Sequence, residues 1–315
     1  MDPGLRRDDP VVKGTFQATT TMSPRDLSLA LGVVVIWGLN FIAIKWGVDE
    51  VPPLMLTALR YLGCALPAVF FIRRPAVSWV LLGLYGLTVG VLQFSFLFTA
   101  IRLGMPAGLA SLVMQMQVFF TLSLAILFLG ERPTRYQLAG AAIALFGLGT
   151  IGAEHLGGAV LLPLVMTLVA AFCWAISNII TKRAGKVDML AFVVWGSLVP
   201  PIPMLVLSMV FEGPAAYGAL LAMTPRGILS VLFIAYGSTL FGYGVWAVLL
   251  GRYPASLVAP FSLLVPVVGF AAAIPILGEA VTTLEWLGSV LIFVGLVLNV
   301  FGARLVARYR LGRSV

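Results

Sequence analysis

Apolar runs of about 20 residues follow one another along almost the whole chain, separated by short polar segments. An α-helix needs about 20 mainly apolar residues to cross a hydrocarbon core of about 30 Å. Only 10% of the 315 residues are charged, whereas soluble domains carry about 25%. We therefore predict an all-α integral membrane protein with ten transmembrane helices, at residues 27–46, 54–72, 78–101, 106–130, 134–153, 159–182, 189–211, 227–250, 255–278 and 283–304.

One sequence pattern occurs twice in the chain, with a spacing of 148 residues. Pro106-Ala107 opens an apolar run that ends at Leu129-Gly130-Glu131, and Pro254-Ala255 opens another that ends at Leu277-Gly278-Glu279. Gly140 and Gly147 also recur as Gly288 and Gly295. Landmarks that keep one offset over such a distance indicate an internal duplication.

The duplication predicts one five-helix repeat at residues 26–153 and a second at 154–305. Residues 1–25 are expected to form a disordered cytoplasmic tail, and residues 306–315 a second cytoplasmic tail. Met22 is an alternative start to Met1. Both Glu131 and Glu279 follow a glycine at the end of a predicted helix, so we expect them to cap or bond a loop rather than to act in catalysis.

The basic residues predict how the chain crosses the membrane. If the amino terminus is cytoplasmic, sixteen Lys and Arg residues lie inside and three outside, which agrees with the enrichment of these residues in cytoplasmic loops. Because five is an odd number, the second repeat must enter the membrane in the opposite sense. We therefore predict two inverted repeats with both termini in the cytoplasm, an architecture of transporters that bind substrate between the halves.

Polar side chains occur at matching places in the first and sixth predicted helices. Trp37 and Asn40 share one helix face, and so do Trp174, Ser177 and Asn178. Inside a membrane an amide must find a partner or face water, because an unsatisfied polar group in hydrocarbon is costly. Bonding between adjacent helices is the alternative, but the recurrence in both halves favours a cavity between them.

Two glutamines in the fourth helix give two possible faces toward this cavity. Ser111 and Gln115 lie four residues apart on one face, whereas Gln117 and Thr121 lie on another. We choose Gln115 and expect only one of the two glutamines to face the cavity. The complete predicted substrate-binding set is Trp37, Asn40, Gln93, Ser111, Gln115, Trp174, Ser177, Asn178, Tyr243, Trp246, Phe261 and Ser262.

Arg60 is the one charged residue well inside an apolar run. An arginine at the centre of a spanning helix costs about 2.5 to 3.5 kcal/mol on insertion scales. Arg60 lies two turns from Pro52-Pro53 at the outer end of its helix, so we expect its side chain to reach the interface. A substrate contact is the alternative.

The sequence contains no nucleotide-binding loop, no zinc-protease motif and no cluster of Cys and His at metal-ligand spacing. We expect no enzyme activity, no cofactor and no metal. The net charge of +8 reports membrane topology rather than a nucleic-acid partner. The lipid bilayer and a small-molecule substrate are the expected partners, and the oligomeric state stays open.

The duplicated motifs resemble the EamA-type exporters of the drug/metabolite transporter superfamily over residues 26–305. The residues that carry this resemblance are Trp37-Gly38-Leu39-Asn40, Pro106-Ala107-Gly108-Leu109 and Leu129-Gly130-Glu131-Arg132, with their echoes in the second half. Met114-Gln115-Met116-Gln117 and Gly242-Tyr243-Gly244-Val245-Trp246 are similar to bacterial amino-acid exporters, including the cysteine/O-acetylserine and YddG-like aromatic branches. The resemblance implies ten helices and efflux of amino acids and related metabolites.

The predicted cavity offers amides, hydroxyls and aromatic faces and hardly any charge. Aromatic faces can hold an ammonium group by cation–π contact, so the residues fit a zwitterionic amino acid. We expect an inner-membrane exporter of neutral and aromatic amino acids that works by alternating access around an uncharged cavity. The alternatives are a sugar, nucleotide-sugar or multidrug carrier of the same superfamily, and a channel or non-transporting membrane scaffold. Coupling to protons stays open.

Overall fold

The computed structural model describes residues 22–156, 158–185 and 187–311, and all regular secondary structure in these ranges is helical. Most of the predicted amino-terminal tail (residues 1–21) and residues 312–315 lie outside the described residues. Within the described ranges, nine helices are long and apolar enough to cross a membrane, and one further apolar helix is shorter. The chain is therefore an all-helical, multi-pass membrane protein.

We number these ten helices in chain order. They are α1 Pro24–Glu50, α2 Pro53–Val69, α3 Trp79–Arg102, α4 Ala107–Phe128, α5 Arg135–Glu154, α6 Leu161–Ala184, α7 Met189–Phe211, α8 Pro225–Arg252, α9 Ala259–Leu277 and α10 Thr283–Leu311. The shorter one is α2, with 17 residues. Because α1 begins at Pro24 and α10 continues to Leu311, both predicted tail boundaries lie inside helices.

Matching helices of the two halves contain the same departures from α-helical geometry. Both α3 and α8 include a π-helical segment, at Gly86–Gln93 and Phe233–Phe241. Both α4 and α9 include a 3-10 turn, at Met114–Met116 and Ala259–Leu263. Departures of this kind are frequent at functional sites. Their recurrence agrees with the duplication seen in the sequence.

Helix α5 and helix α10 begin with the same cap. Thr134 caps α5 in a capping box with Gln137, and Thr282 exchanges the equivalent hydrogen bonds with Glu285 at the start of α10. A capping box satisfies two backbone groups that the first helical turn leaves without a partner. The matching caps show that the repeated sequence encodes the same helix boundary twice.

Glycines join α5 and α10 along their length. A Cβ added at Gly147 would lie 2.6 Å from the carbonyl oxygen of Gly288, and one added at Gly140 would lie 2.5 Å from that of Gly295. The two backbones therefore touch without intervening side chains. Small residues allow such close approach between membrane helices, where dispersion contacts replace the hydrophobic effect as the source of stability.

Glu279 connects the end of α9 to the start of α4. Its carboxylate accepts hydrogen bonds from the N–H groups of Ala107 and Gly108, at 2.5 and 3.0 Å. These donors are free because the first turn of a helix has no internal partner for them, and the positive end of the helix dipole favours a carboxylate there. The predicted capping role of Glu279 is confirmed.

The equivalent glutamate, Glu131, makes a different contact. Its carboxylate pairs with Lys182 at the end of α6, and its side chain is 45% exposed. The role predicted for Glu131, which was to cap a helix or bond a loop, stays a prediction, because Lys182 belongs to helix α6. The two halves, similar in sequence, thus differ in the contacts of their matching glutamates.

The two halves pack into each other through one helix from each. Helix α1 of the first half packs against α8 and α9 of the second, and helix α6 of the second half packs against α3 and α4 of the first. Each of these two helices therefore lies in the middle of the opposite half. The polar residues that α1 and α6 carry are brought together with those of α3, α4, α8 and α9.

Candidate substrate cavity

A cavity of about 550 Å³ lies between the two halves. This volume is within the range of about 300–1,000 Å³ that is typical of small-molecule sites. Ten of the twelve predicted residues line it, namely Trp37, Asn40, Gln93, Ser111, Gln115, Trp174, Asn178, Tyr243, Trp246 and Ser262. These residues come from α1, α3, α4, α6, α8 and α9, the six helices on which the predicted set lies.

Ser177 and Phe261, the other two predicted residues, are not among the residues that line the cavity. The Ser177 hydroxyl donates to the Trp174 carbonyl at 2.7 Å, so its hydrogen bond is made within its own helix. Phe261 packs in a cluster with Ala30 and Leu249. Consecutive residues of the 3-10 turn point about 120° apart, and Ser262 takes the place that faces the cavity.

Both Gln115 and Gln117 line the cavity, although the sequence predicted only one of them. In an α-helix, side chains two residues apart point about 160° away from each other. The 3-10 turn Met114–Met116 reduces this angle toward about 120°, so one concave surface receives both amides. Gln115 Nε2 donates to the Ser262 carbonyl at 3.1 Å, which joins the 3-10 turns of α4 and α9.

Asn178 both lines the cavity and bonds a neighbouring helix. Its Nδ2 donates to Gln117 Oε1 at 2.8 Å and to Thr121 Oγ1 at 3.1 Å. These contacts join α6 to α4. Both interpretations of Asn178, cavity lining and bonding between helices, therefore apply. The hydrogen bond from Asn178 also fixes the position of the Gln117 amide.

Aromatic side chains form one wall of the cavity. The ring of Trp37 lies 5.5 Å from that of Tyr243 and 5.1 Å from that of Trp246, centroid to centroid. Trp37 Nε1 donates to the carbonyl oxygen of Ser238 at 3.0 Å. Ser238 belongs to the π-helical segment of α8, where the regular backbone pattern is altered. The wall therefore presents apolar ring faces while its indole donor is satisfied.

Arg60 lines the cavity, and the predicted position at the interface was wrong. The side chain is 2% exposed. Its Nη2 donates to Thr239 Oγ1 at 3.1 Å, and its guanidinium carbon lies 3.7 Å from the ring centroid of Phe94. Thr239 belongs to the π segment of α8, and Phe94 follows that of α3. Arg60 is the one charged residue in the described lining, so the predicted uncharged cavity carries a positive charge.

Several polar atoms around the cavity have no hydrogen-bond partner among the described residues. They are the acceptors Asn40 Oδ1 and Gln93 Oε1 and the donors Nε and Nη1 of Arg60. A buried donor or acceptor without a partner costs about 1–3 kcal/mol. Unsatisfied groups of both kinds at one cavity indicate a ligand that brings donors and acceptors of its own.

The cavity extends toward one end of the helix bundle. Thr181 and Leu250 line it near the ends of α6 and α8, and Met189 and Ala259 line it at the starts of α7 and α9. At the opposite end of the bundle, Glu279 holds the start of α4. The cavity lining therefore reaches one end of the bundle, and the Glu279 cap lies at the opposite end.

Two known bacterial proteins are similar to this chain over most of its length. A protein described as "Probable amino-acid metabolite efflux pump" from Escherichia coli is 48% identical over 90% of this chain and 97% of its own length. A protein of the same description from Salmonella typhimurium is 47% identical over 90% and 97%. A crystal structure with 18% sequence identity superposes with a TM-score of 0.62 over 90% of this chain and 97% of the other, which supports the fold.

The family comparison covers most of the chain. The family described as "EamA-like transporter family" matches residues 26–153 and 161–301. These ranges include every residue that lines the cavity. By its matched residues, and in agreement with a transporter-like cavity rather than an enzyme site, the chain belongs to the EamA-like transporter family.

Proposed function

We propose that this protein exports amino acids and related metabolites across the bacterial inner membrane. The observation that carries the proposal is the cavity between the two halves, which combines one buried cation with neutral amide and aromatic groups. The description of the Escherichia coli and Salmonella typhimurium relatives as amino-acid metabolite efflux pumps supports this cargo. A cationic drug would meet the like charge of Arg60, which disfavours that alternative.

The proposed cargo range is broad and includes neutral and aromatic amino acids. The aromatic wall of Trp37, Tyr243 and Trp246 offers ring faces that accept side chains of many shapes by apolar contact. The cavity is also larger than one small amino acid requires, which leaves room for side chains of different length. In this proposal Ser111, Gln115, Trp174, Asn178 and Ser262 belong to the binding surface as well.

We further propose that ten helices cross the membrane as two inverted five-helix repeats, residues 26–153 and 154–305, with both termini in the cytoplasm. The distribution of Lys and Arg supports this orientation. The end of the bundle toward which the cavity extends then faces the cytoplasm. Cargo enters there, and rocking of the halves exposes it on the opposite side of the membrane.

Flux measurements with purified protein in proteoliposomes test the proposed cargo. A panel of the twenty amino acids, measured beside a sugar and a quaternary ammonium dye, is expected to show saturable flux of neutral and aromatic amino acids. Flux of the sugar or the dye without flux of any amino acid would contradict the proposed function and favour the other carriers of the superfamily.

Cysteine labelling tests the proposed orientation. In a variant without Cys64 and Cys173, single cysteines replace Pro133, after α4, and Ala280, after α9. A membrane-impermeant maleimide is expected to label position 280 in intact spheroplasts and position 133 only after permeabilisation. Labelling of both positions from the same side would contradict the inverted arrangement.

A further inference from the structure

Arg60 is a buried charge without a counter-charge among the described residues. Its side chain is 2% exposed, and it contacts the Thr239 hydroxyl and the rings of Phe94 and Tyr61, whose centroids lie 3.7 and 5.5 Å from the guanidinium carbon. An arginine in a membrane protein normally pairs with another group or marks a substrate pathway, because its burial is costly. The cation–π contact offsets part of that cost, but it leaves the Nε and Nη1 donors unused.

The unused donors of Arg60 suit an anionic group. Hydrogen bonds from a guanidinium to a carboxylate are charge-assisted and are about twice as strong as neutral ones. The guanidinium stays charged at all physiological pH values, and its plane is suited to stacking on an aromatic ring. Phe94 and Thr239 therefore fix the position of the cation before any ligand arrives.

Two amide oxygens at the same cavity suit a cationic group. Asn40 Oδ1 and Gln93 Oε1 are buried acceptors without a partner among the described residues, and both side chains line the cavity together with Arg60. Asn40 lies on α1 and Gln93 at the end of the π segment of α3. An ammonium group carries three donors and accepts none, so it suits acceptors of this kind.

The space around Arg60 also indicates where a variable side chain lies. On one side, Arg60 borders a pocket of about 10 Å³ lined by Tyr85, Gly86 and Tyr243, which has room for about one water molecule. On the other side it borders the cavity of about 550 Å³. A ligand held by Arg60 must therefore extend its remaining atoms into the large cavity, toward the aromatic wall.

We infer that Arg60 binds the carboxylate of a free α-amino acid, that Asn40 and Gln93 bind its ammonium group, and that the variable side chain lies against the aromatic wall. This inference rests on the proposed function and narrows the cargo to molecules with both a free carboxylate and a free amine. Amino-acid amides and amines without a carboxylate are poor cargo. Specificity for the amino-acid backbone and tolerance toward side chains then have separate structural causes.

The test compares Arg60→Gln and Arg60→Lys with the wild-type protein in proteoliposomes. The measurement is counterflow of the amino acid that shows the highest flux in the twenty-member panel. Three competitors are compared as inhibitors of this flux: the same amino acid, its amide and its decarboxylated amine. The wild type is expected to prefer the acid to the amide by about 10- to 100-fold, the value of one hydrogen bond to a charged group. Arg60→Gln is expected to lose this preference, and Arg60→Lys to keep part of it.

The ratio of acid to amide separates a binding role from a structural one. If Arg60 only stabilises the fold, Arg60→Gln lowers the amount of active protein and leaves the ratio unchanged, which would overturn the inference. If the wild type moves no amino acid, the proposed function fails before Arg60 is tested. Size-exclusion profiles of each variant show whether it folds, and the lysine variant keeps the test decisive if the glutamine variant does not.

A second comparison addresses the ammonium group. In Gln93→Leu, the new side chain has nearly the same volume and lacks the acceptor. Because N-acetylation removes the ammonium group that this acceptor binds, the wild type is expected to reject the N-acetyl derivative of the cargo more strongly than the variant does. Thr167→Val serves as the matched control, because the Thr167 hydroxyl bonds the Pro163 carbonyl within its own helix and Thr167 does not line the cavity. Equal rejection of the N-acetyl derivative by the wild type and Gln93→Leu would remove Gln93 from the binding site.

Discussion

Trp37 shows how one side chain serves both the fold and the cavity. Its indole N–H bonds the Ser238 carbonyl, which joins α1 to the π segment of α8. Its ring faces Tyr243 and Trp246 across the cavity wall. A donor fixed at one edge leaves the ring with little freedom to rotate, so the wall keeps its shape without a ligand.

Trp37→Phe is expected to destabilise the protein while it preserves an aromatic wall. The substitution removes the N–H donor and leaves the Ser238 carbonyl without that partner, at a cost of about 1–3 kcal/mol. Thermal unfolding in detergent is expected to shift down by several degrees, with a small change in the KM for cargo. Trp246→Phe is the control, since no hydrogen bond of the Trp246 indole is found among the described residues. An equal shift for both variants would contradict this role of Trp37.

Ten of the twelve residues predicted from the sequence line the cavity, and most of these ten are polar residues in apolar helices. Asn40 and Asn178 stand out for this reason, and they recur in both halves. The sequence did not predict that both Gln115 and Gln117 face the cavity, because the 3-10 turn that brings them together has no clear signal in the sequence. The sequence places Arg60 near the interface because it gives the distance of Arg60 from the end of its own helix. It does not give the position of α8, which carries the partner Thr239.

At the scale of helices, the pairing of α5 and α10 depends on backbone contact. Gly140 and Gly147 approach the carbonyl groups of Gly295 and Gly288 more closely than any side chain would allow. The recurrence of these four glycines in the sequence reported a duplication. Which surfaces the glycines join became visible only in the structure, because spacing along a helix does not identify the partner helix.

Gly147→Val is expected to separate α5 from α10. The added Cβ would lie 2.6 Å from the Gly288 carbonyl oxygen, so the helices must shift. Overpacking of this kind costs about 1–3 kcal/mol. Gly149→Val lies in the same helix, where an added Cβ meets nothing within 4 Å, and is the matched control. The yield of monodisperse protein and the unfolding temperature are expected to fall for Gly147→Val alone. Equal behaviour of the two variants would contradict the contact.

The matching glutamates lie at opposite ends of the bundle, and we expect the end that Glu279 caps to be the closed end. Glu279 caps the start of α4, whereas Glu131 pairs with Lys182 at the end toward which the cavity extends. In an alternating-access cycle, we expect the Glu279 contact to break when the cavity opens at the end that Glu279 caps. The sequence predicted that both glutamates cap or bond loops, but it treated them alike, because a duplicated motif does not report a conformational difference between its copies.

Glu279→Ala is expected to open the closed end more often. Loss of a helix cap costs about 0.5–2 kcal/mol, which corresponds to an increase of up to about 30-fold in the open population. The measurement is the rate at which an impermeant maleimide, added to intact spheroplasts, labels Ser111→Cys in a variant without the native cysteines. Glu131→Ala is the control and is expected to leave the rate unchanged or lower. Equal rates in Glu279→Ala and its parent would contradict the role of this cap.

At the scale of the whole molecule, the duplication places two similar halves around one cavity. Each half contributes one helix, α1 or α6, to the middle of the other half. The cavity therefore lies at the surface that the two halves share. Fold class could be predicted from apolar runs alone, because the hydrocarbon core fixes the length and composition of a spanning helix. The cavity required contacts between helices that no local pattern encodes.

Trans-stimulation of flux in proteoliposomes tests most directly whether this protein is an alternating-access amino-acid carrier. A labelled amino acid is added outside vesicles that contain either buffer or a high concentration of the same unlabelled amino acid. Saturable uptake that is several-fold faster into the loaded vesicles is expected, because return of an occupied carrier replaces return of an empty one. Uptake that rises linearly with concentration and is the same into loaded and empty vesicles would contradict it and indicate a channel.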